Sequence, residues 1–453
     1  MALIHEDSME ILKSELELFS VPPTQTSIEE TRFVEYFPQT SLGHGPVEFH
    51  IPPNDKEYLD LQNSFLYMKL RILDEEGEML KPIVSPSDKS IPTESIVFPV
   101  NYIHAACFKT VEVLIGNKSC SSNDTLYPYR AYFETLLSYG KNTKEEQLAV
   151  SMFYKDKHPM DEHTDAVTKA GDGGSTNSGA RARFTRTKFS TPVETIGRIH
   201  SELFSQPKLL VGDVALTVKF QRADAKFSLM GIIEDKKYII SIDTAILFIC
   251  QKRISEAIRD AHRATLQTRN MIYPLRKVQM KFFTRGAHRS DLTEANFVNG
   301  ILPRRIIMGL VQTDAFNGHL HQNPFNFKHF NVKTIILRKN GETIPFQNIE
   351  TDYVNKCALR GYLLLMEGTS NLFKNRSVDI RPMVDFPQGY ALYAFDLTPD
   401  HSDHNSFDLI QQGNISLEIK LDKPSETAVC IVAYLEYDAV LEIDSHYNII
   451  YEQ

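Results

Sequence analysis

A nine-residue stretch occurs twice in the chain, and its repetition constrains the fold more than any other sequence feature. GDVALTVKF covers residues 212–220 and GNISLEIKL covers residues 413–421, with Gly, Leu and Lys identical. In both copies apolar residues alternate with polar ones, as Leu216 and Val218 do around Thr217. A period of two is typical of a β-strand with one buried face and one solvated face. The repeat therefore predicts two equivalent strands, one in each half of the chain.

A second pair of segments indicates that a whole domain is duplicated. NYIHAACFKTVEVLIG at residues 101–116 aligns without gaps with NFKHFNVKTIILRKNG at residues 326–341, and both share an Asn, a His and the final Gly. The two pairs keep the same order along the chain, with offsets of 225 and 201 residues. Repeats this far apart indicate a tandem of two domains, because solenoid repeats have much shorter periods.

Short strand patterns separated by long loops occur in both halves. FLYMKLRI at residues 65–72 alternates as a half-buried strand does, and Asn340-Gly341 between two extended runs predicts a tight hairpin turn. Gly116-Asn117 predicts a second turn of this kind. Uneven loops between short strands are typical of jelly rolls. We expect an all-β double jelly roll, that is, two tandem eight-stranded β-sandwiches with short helices in the loops.

The sequence predicts three parts along the chain. Residues 1–30 are expected to form an N-terminal amphipathic helix and a linker, residues 31–235 the first jelly roll, and residues 236–453 the second. A helix is predicted inside the first jelly roll at YPYRAYFETLLSY, residues 127–139, where apolar residues form a helical stripe.

The N-terminal helix is predicted from its apolar spacing. In SMEILKSELELF the side chains of Met9, Leu12, Leu16 and Phe19 fall on one helical face. Acidic side chains outnumber basic ones in this segment, which disfavours binding to DNA or anionic lipid. We expect this segment to dock on a neighbouring protein surface.

Composition excludes several functional classes. The formal net charge is −9 and the isoelectric point is near 5.9, which argues against a protein that coats nucleic acid. No apolar run approaches the roughly 18 residues of a membrane span, and the N-terminal residues lack the pattern of a secretory signal. Five scattered cysteines without a CxxC pair predict neither disulfides nor a zinc ribbon, and they fit synthesis inside a cell.

The clearest basic stretch, RARFTRTK, follows a polar, glycine-rich loop. The loop covers residues 155–183, and loops of this length inside a compact domain are usually functional or disordered. No aromatic platform or basic helix accompanies the basic residues, so we favour a solvated loop edge or a contact between subunits over the alternative of a phosphate-binding site. The residues predicted to contact another chain are His158, Asp161, Arg181, Arg183, Arg186, Arg304 and Arg305.

Motifs for enzyme chemistry are missing from the sequence. It contains no phosphate-binding loop, no nucleophile elbow, no HExxH and no dinucleotide fingerprint. Three polar groups could supply metal ligands, namely His158 with Glu162 and His163, His319 with His321, and His401 with His404 beside Asp400 and Asp403. Each group lies in a polar loop, so we interpret these residues as solvated. We predict no enzymatic activity, no cofactor and no metal.

Several ordered segments together carry a family resemblance. They are YPYRAYFETLLSYG, the glycine-rich loop, RIHSELFSQPKLLVGDVALTVKFQRADAKFSLM, ILPRRIIMGLVQTDAFNG, NPFNFKHF and GYALYAFDLTPD. From about residue 17 to its end the chain resembles the hexon-type double jelly-roll major capsid proteins of Polinton (Maverick) elements and adintoviruses. Its length lies toward the compact end for that family, which argues against elaborate surface towers.

The resemblance implies a structural role in a virion. Three such chains form a pseudo-hexagonal capsomer, and many capsomers tile an icosahedral shell around double-stranded DNA. It further implies self-association, a minor capsid (penton) protein as partner, synthesis inside the host cell, no specific nucleic-acid binding and no transmembrane segment. A genomic copy of such a gene that now serves a host cell is compatible with the same sequence.

Two alternatives compete with this interpretation, one within the structural class and one from another class. A minor capsid protein has a single jelly roll, and the duplicated strand argues against it. A β-sandwich glycan-binding protein or glycosidase remains open, because the separation of catalytic carboxyl groups, about 5 to 9.5 Å, is spatial and not sequential. The absence of Trp, the usual residue for stacking on sugars, counts against this alternative.

Overall fold

The computed structural model describes residue 5 and residues 7–43, 45–82, 91–121, 125–169, 174–375, 377–401 and 406–451. The strands of the first half are β1 (Ile28–Tyr36), β2 (Val47–Ile51), β3 (Glu57–Asp74), β4 (Val97–Pro99), β5 (Phe108–Ile115), β6 (Lys118–Ser119), β7 (Val193–Gly197), β8 (Leu216–Arg222), β9 (Leu229–Gly231) and β10 (Tyr238–Ile254). Those of the second half are β11 (Met271–Arg285), β12 (Glu294–Ile301), β13 (Arg305–Gln312), β14 (Val332–Lys339), β15 (Glu342–Glu350), β16 (Leu392–Asp396), β17 (Gln412–Leu421), β18 (Val429–Ile443) and β19 (Ile449–Tyr451).

Short helices occupy the connections between strands. The α-helices are α1 (Ile103–Ala106), α2 (Tyr127–Ser138), α3 (Lys141–Glu145), α4 (Ser178–Thr187), α5 (Glu202–Ser205), α6 (Ala225–Ser228), α7 (Glu256–Leu266), α8 (Thr313–Asn317) and α9 (Leu359–Gly368). The 3-10 turns are Ser14–Leu16, Thr93–Ser95, Gln147–Ser151, Asp165–Thr168 and Lys188–Ser190. The predicted helix at residues 127–139 is confirmed as α2, which has Pro128 in its first turn, where a missing backbone N–H costs nothing.

The two halves have the same sheet topology. In the first unit the sheets have the orders β1-β10-β3-β7 and β2-β8-β5-β6, and in the second β11-β18-β13-β16 and β12-β17-β14-β15. The small β4-β9 pair lies outside these sheets, and β19 pairs with β18 as a fifth strand of its sheet. Once the eight main strands of each unit are counted along the chain, both units read 1-8-3-6 and 2-7-4-5. Two antiparallel four-stranded sheets in this order form a jelly roll, so the prediction of a double jelly roll is confirmed.

The repeated stretches pair with one another inside each unit. Val218 of β8 pairs with Val113 of β5, and the equivalent Ile419 of β17 pairs with Ile335 of β14. The ungapped sequence alignment makes Val113 equivalent to Arg338, three residues from the structural partner. The duplication is therefore correct, but the alignment of the 101–116 segment is out of register.

Both predicted hairpin turns are present. Lys339 pairs with Glu342, which leaves Asn340 and Gly341 as a two-residue turn with φ of 51° and 90°. Both values lie in the left-handed region, where Asn and Gly have the smallest steric cost. A two-residue turn also joins β5 to β6, because Ile115 pairs with Lys118 around Gly116 and Asn117, and Gly116 has a φ of 58°.

Two expectations about chain organisation differ from the structure. Strand β10, predicted at the start of the second jelly roll, pairs with β1 and β3 in the first unit. The predicted helix at residues 8–19 is wrong, since only Ser14–Leu16 form a 3-10 turn and Phe19 is fully exposed. An isolated helix of this length is marginal in water, and no described residue packs on its apolar side chains.

The core is continuous across the two units. Buried apolar side chains from both sets of sheets, such as Val218, Phe325 and Ile419, belong to one connected cluster. Complete burial of a side chain of this kind contributes about 1.5–3 kcal/mol relative to exposure. The two jelly rolls are therefore packed against each other by the same force that stabilises each of them.

Candidate functional site

The two units meet where two long connections lie against each other. The first is the segment between β6 and β7, residues 120–192, which we call the bridging segment. The second is the loop between β13 and β14, residues 313–331, which we call the acceptor loop. Tyr132 of α2 stacks on Phe325 of the acceptor loop with ring centroids 4.3 Å apart. Further ring contacts across this boundary join Tyr129 to Phe316 and Phe133 to Phe327.

A fully buried ion pair fixes the bridging segment beside this aromatic contact. Arg183 Nη2 lies 2.7 Å from Asp156 Oδ1, and neither side chain is exposed. The same guanidinium donates to the carbonyls of Pro99 and Tyr154, each at 2.8 Å. Asn323 of the acceptor loop donates to the other oxygen of Asp156 at 3.1 Å. A buried charge pair is favourable only with such additional hydrogen bonds, and here they extend into the second unit.

These contacts change the interpretation of the basic stretch after the glycine-rich loop. Residues 178–187 form helix α4, and Asn177 caps its N-terminus by accepting a hydrogen bond from the Ala180 amide at 3.2 Å. Arg183 faces inward from this helix, so the expectation that it contacts another chain is wrong. Arg186 is exposed and lies over the Tyr154 ring, whereas Arg181 is half-buried.

Of the two loop residues predicted to contact another chain, Asp161 faces its own chain and His158 faces the surface. Asp161 accepts hydrogen bonds from the Asn323 amide at 2.9 Å and from Asn326 Nδ2 at 2.8 Å, and it pairs with Lys328 at 2.8 Å. Asp161 therefore contacts the second unit of its own chain. His158 is exposed on the surface of the same loop.

Arg304 and Arg305, the residues at the start of β13 predicted to contact another chain, are held by acidic residues of the second unit. The side chain of Arg304 is only 5% exposed and lies 3.7 Å from Asp408 and 3.5 Å from Asp438. Arg305 lies 3.8 Å from Glu436 of β18. Because the Arg304 side chain is enclosed by its own unit, its expected role in contacts between chains is a second correction.

A second buried charge network joins α2 to the second unit. Arg130 donates to Glu134 at 2.9 Å and to Glu202 at 2.8 Å, and His200 Nδ1 lies 2.6 Å from Glu134. Burial alone raises the pKa of Glu134, but attraction to Arg130 and the His200 hydrogen bond outweigh it and lower the pKa to about 2. Glu202 also accepts from the amide of Val278 in β11 at 3.3 Å. The sequence contained no local signal for this network.

A cavity of about 470 Å³ lies beside the junction between the units. Charged residues dominate its lining, including Lys141, Lys144, Lys155, Asp379, Arg381 and Asp385. Burial raises the pKa of Asp385, but hydrogen bonds from Arg381 and Lys155 outweigh this and lower it to about 2. A glycosidase needs a carboxylic acid with a raised pKa as proton donor. Asp385 does not fit that role.

The histidines of two predicted groups come together in space. His163 stacks on His321 with ring centroids 4.3 Å apart, and His319 lies 5.4 Å from His321 and 2.6 Å from Glu234. His321 Nε2 lies 2.7 Å from the carbonyl oxygen of Ile232, so this ring is already hydrogen-bonded. Within the described ranges no group of three or more His, Cys, Asp or Glu residues could hold a metal ion. His404 and Asp403 of the third group lie outside the described residues.

Comparison with solved structures finds the same double jelly-roll architecture over the whole length of the chain. A chain of the Sputnik virophage covers 100% of this chain with a TM-score of 0.63 at 13% identity, and 94% of that chain is matched. The chain has the fold of double jelly-roll capsid proteins. The Faustovirus major capsid protein matches this double jelly roll with a TM-score of 0.54 at 7% identity, covering 96% of this chain and 92% of its own. The mavirus major capsid protein gives 0.53 at 10% identity, covering 100% and 97%.

Sequence comparison finds an animal relative that matches this chain over nearly the whole length of both proteins. An uncharacterized protein of Caenorhabditis elegans is 26% identical over 434 residues, which cover 94% of this chain and 97% of the relative. No protein-family model matches the sequence. Among the described residues, no helix has the length and apolar character required to cross a membrane.

Proposed function

We propose that this double jelly roll is a major capsid protein. Three copies form a pseudo-hexagonal capsomer, and capsomers tile an icosahedral shell around double-stranded DNA. The observation that carries the proposal is the match of both units together, since viral capsid structures cover 96–100% of the chain with TM-scores of 0.53–0.63. A structural subunit of this kind needs no catalytic group, and we propose no enzymatic activity and no cofactor.

The junction between the units supports this role. Six equivalent units around a ring require that the two units of each chain keep one relative orientation. The ring contact of Tyr132 with Phe325 crosses that junction and is buried. The buried Arg183–Asp156 pair lies beside it within the bridging segment. Buried contacts of this kind hold two β-sandwiches at a fixed angle, whereas an exposed linker leaves them free to rotate.

The net charge supports a shell that encloses DNA without binding it tightly. A formal net charge of −9 disfavours tight binding to the phosphate backbone, so we propose no specific contact with nucleic acid. Closure of an icosahedral shell needs a different protein at its vertices, and we propose a minor capsid (penton) protein as partner. The protein is then synthesised in the host cell and resides in the virion.

The Caenorhabditis elegans relative supports a genetic element carried in animal DNA as the source of this protein. A protein of an animal genome that matches 97% of its own length to this chain fits a capsid gene carried in animal DNA. We therefore propose a Polinton (Maverick) or adintovirus-type element as the source. Within the capsomer, the exposed His158 and Arg186 and the half-buried Arg181 and Arg305 are proposed contacts between chains.

Electron microscopy of the purified protein tests the capsomer directly. We expect particles with a three-fold axis and a pseudo-hexagonal outline, together with closed shells at high protein concentration. Class averages that show a single double jelly roll without rotational symmetry, at every concentration tested, would remove the proposal. A glycan array run on the same preparation tests the carbohydrate-binding alternative, for which we expect no specific signal.

A further inference from the structure

The loop between β7 and β8 lies against an edge strand of the second unit. It covers residues 198–215, and we call it the first edge loop. The strand is β11, which lies at the end of its sheet. Glu202 Oε1 accepts a hydrogen bond from the Val278 amide of β11 at 3.3 Å, and Lys208 Nζ donates to the Ile272 carbonyl at 2.8 Å. The first unit therefore bonds to backbone groups of this edge strand.

The duplicated topology gives both partners of this contact a counterpart. The loop between β16 and β17, residues 397–411, joins the sixth strand to the seventh as the first edge loop does, and we call it the second edge loop. Residues 397–401 and 406–411 of it are described. Strand β1 is the counterpart of β11, because each is the first strand of its unit and lies at the end of its sheet. The junction inside the chain uses the first edge loop and β11, and it leaves their two counterparts for another contact.

The two edge loops differ sharply in what they expose. In the first edge loop the apolar side chains of Leu203 and Phe204 are at most 1% exposed. In the second edge loop Phe407, Leu409 and Ile410 are 48%, 88% and 77% exposed. The loop that meets an edge strand within the chain is buried, and its counterpart presents apolar side chains to the outside.

The two edge strands differ in the same sense. Strand β11 has Val278 and Met280 only 2% and 5% exposed, whereas none of the nine residues of β1 is buried. Phe33 of β1 and Phe37, which follows the strand, are 53% and 62% exposed. The Phe33 ring also lies on the sheet, with its centroid 5.6 Å from that of Phe65. A long exposed edge strand is a template for association, and aromatic side chains are enriched in protein interfaces.

We propose that residues 406–411 of the second edge loop bind β1 of a second copy of this chain. The inference rests on the proposed capsomer and names the surfaces that join neighbouring chains in it. In a ring where first and second units alternate, the junction inside a chain and the junction between chains are equivalent. The contact of the first edge loop with β11 is then repeated between chains by the second edge loop and β1.

The charged groups at both surfaces leave the apolar side chains to make this contact. Asp408 is the charged residue of the segment 406–411, and it lies 3.7 Å from Arg304 of its own unit. Strand β1 carries four exposed charged residues, of which two have ion-pair partners within the first unit, namely Glu30 and Arg32, and two are further carboxylates, namely Glu29 and Glu35. The segment 406–411 offers these carboxylates no cation, so we expect apolar burial to hold the contact.

Photo-crosslinking maps the partner surface directly. A benzophenone amino acid replaces Leu409, and assemblies are formed from equal amounts of isotopically light and heavy chains so that mass spectrometry separates contacts within and between chains. We expect position 409 of one chain to cross-link to residues 28–37 of another. An assembly in which position 409 reaches only other segments, the N-terminal residues before β1 included, or reaches no second chain overturns the inference and leaves the capsomer standing.

Sedimentation velocity of double variants tests whether the two surfaces form one contact. Leu409→Ser with Ile410→Ser, and Phe33→Ser with Phe37→Ser, are each expected to weaken association by about 100-fold, as loss of central apolar contacts does. All four substitutions together should weaken it little more than either pair, because both pairs remove the same contact. Effects that multiply would show that the loop and the strand do not touch, and an assembly unchanged by the loop pair would show that the loop is not at the interface.

Leu359→Ser with Leu363→Ser is the matched control for this cycle. These side chains are 55% and 44% exposed on α9 of the second unit, outside the proposed contact. Whatever their effect on association, it should multiply with that of the Phe33 and Phe37 pair. Circular dichroism and thermal unfolding check that each variant keeps its fold. A wild-type protein that is monomeric at all concentrations overturns both this inference and the proposed capsomer.

Discussion

Lys144 of the bridging segment donates a hydrogen bond to the backbone carbonyl of Val378 in the second unit at 2.6 Å, although its side chain is almost completely buried. A second bond of the same length goes to the carbonyl of Leu136. Burial lowers the pKa of Lys144 to about 7 from its ordinary value of 10.5. A neutral amine still has two N–H groups, which matches the two carbonyl acceptors.

We therefore expect Lys144 to make the free energy of unfolding depend on pH. Its pKa is lower in the folded state than in the unfolded state, so between pH 7 and 10.5 the unfolded chain binds more protons. The folded state of the wild type is most stable, relative to Lys144→Met, above pH 10.5, and this advantage is lost as the pH falls to 7. We expect the unfolding free energy of the wild type, relative to Lys144→Met, to rise by up to about 1.4 kcal/mol per pH unit in this window.

Urea unfolding of both proteins between pH 7 and 9 measures this difference. Lys141→Met is the matched control, because Lys141 lies on the same helix and its side chain is 59% exposed. The control should track the wild type at every pH. A wild-type curve parallel to that of Lys144→Met would show that Lys144 does not titrate in the folded protein within this range.

The buried pair of Arg183 and Asp156 predicts a large loss of stability when one partner is removed. Asp156→Asn leaves the guanidinium charge of Arg183 buried without its counter-charge, and we expect a cost of about 3–5 kcal/mol. Arg181→Met on the same helix should change stability by no more than about 0.5 kcal/mol, because that side chain is partly solvated. Chemical unfolding followed by circular dichroism gives both values, and equal effects of the two substitutions would contradict the account.

The turn between β14 and β15 predicts a smaller and local effect. Gly341 has a φ of 90° in open space, so Gly341→Ala meets backbone strain and no clash. We expect a loss of about 1 kcal/mol. Gly43→Ala is the matched control, since that position also has nothing within 4 Å but no positive φ. If the thermal midpoints of the two variants fall together, the turn assignment is incorrect.

The strands and turns could be predicted because their signals are local. The alternation of Leu417 and Ile419 with polar neighbours follows from the strand itself, and the Asn340-Gly341 turn follows from two adjacent residues. The register between repeated strands could not be obtained in this way. Ile115 and Leu337 are structural equivalents, but the turn follows Ile115 directly and follows Leu337 only after two further residues. An ungapped alignment that matches the turn glycines therefore placed Val113 three residues from its structural equivalent.

The junction between the units was not predictable, for a different physical reason. Arg183 lies in a polar, basic stretch that has the composition of a solvated loop, and its partner Asp156 is 27 residues away in sequence. Their common neighbour Asn323 is more than 100 residues further along. The aromatic residues of α2 indicated a buried helix but did not identify what buries it. Long-range contacts of this kind depend on the assembled topology.

The mass of the purified protein in solution decides whether three chains associate into a capsomer. Light scattering after size exclusion distinguishes one chain of 51.7 kDa from three. We expect a stable species of about 155 kDa, three times 51.7 kDa, or larger assemblies built from it. A single species of 51.7 kDa at all concentrations would contradict the proposal that this double jelly roll is a capsomer subunit.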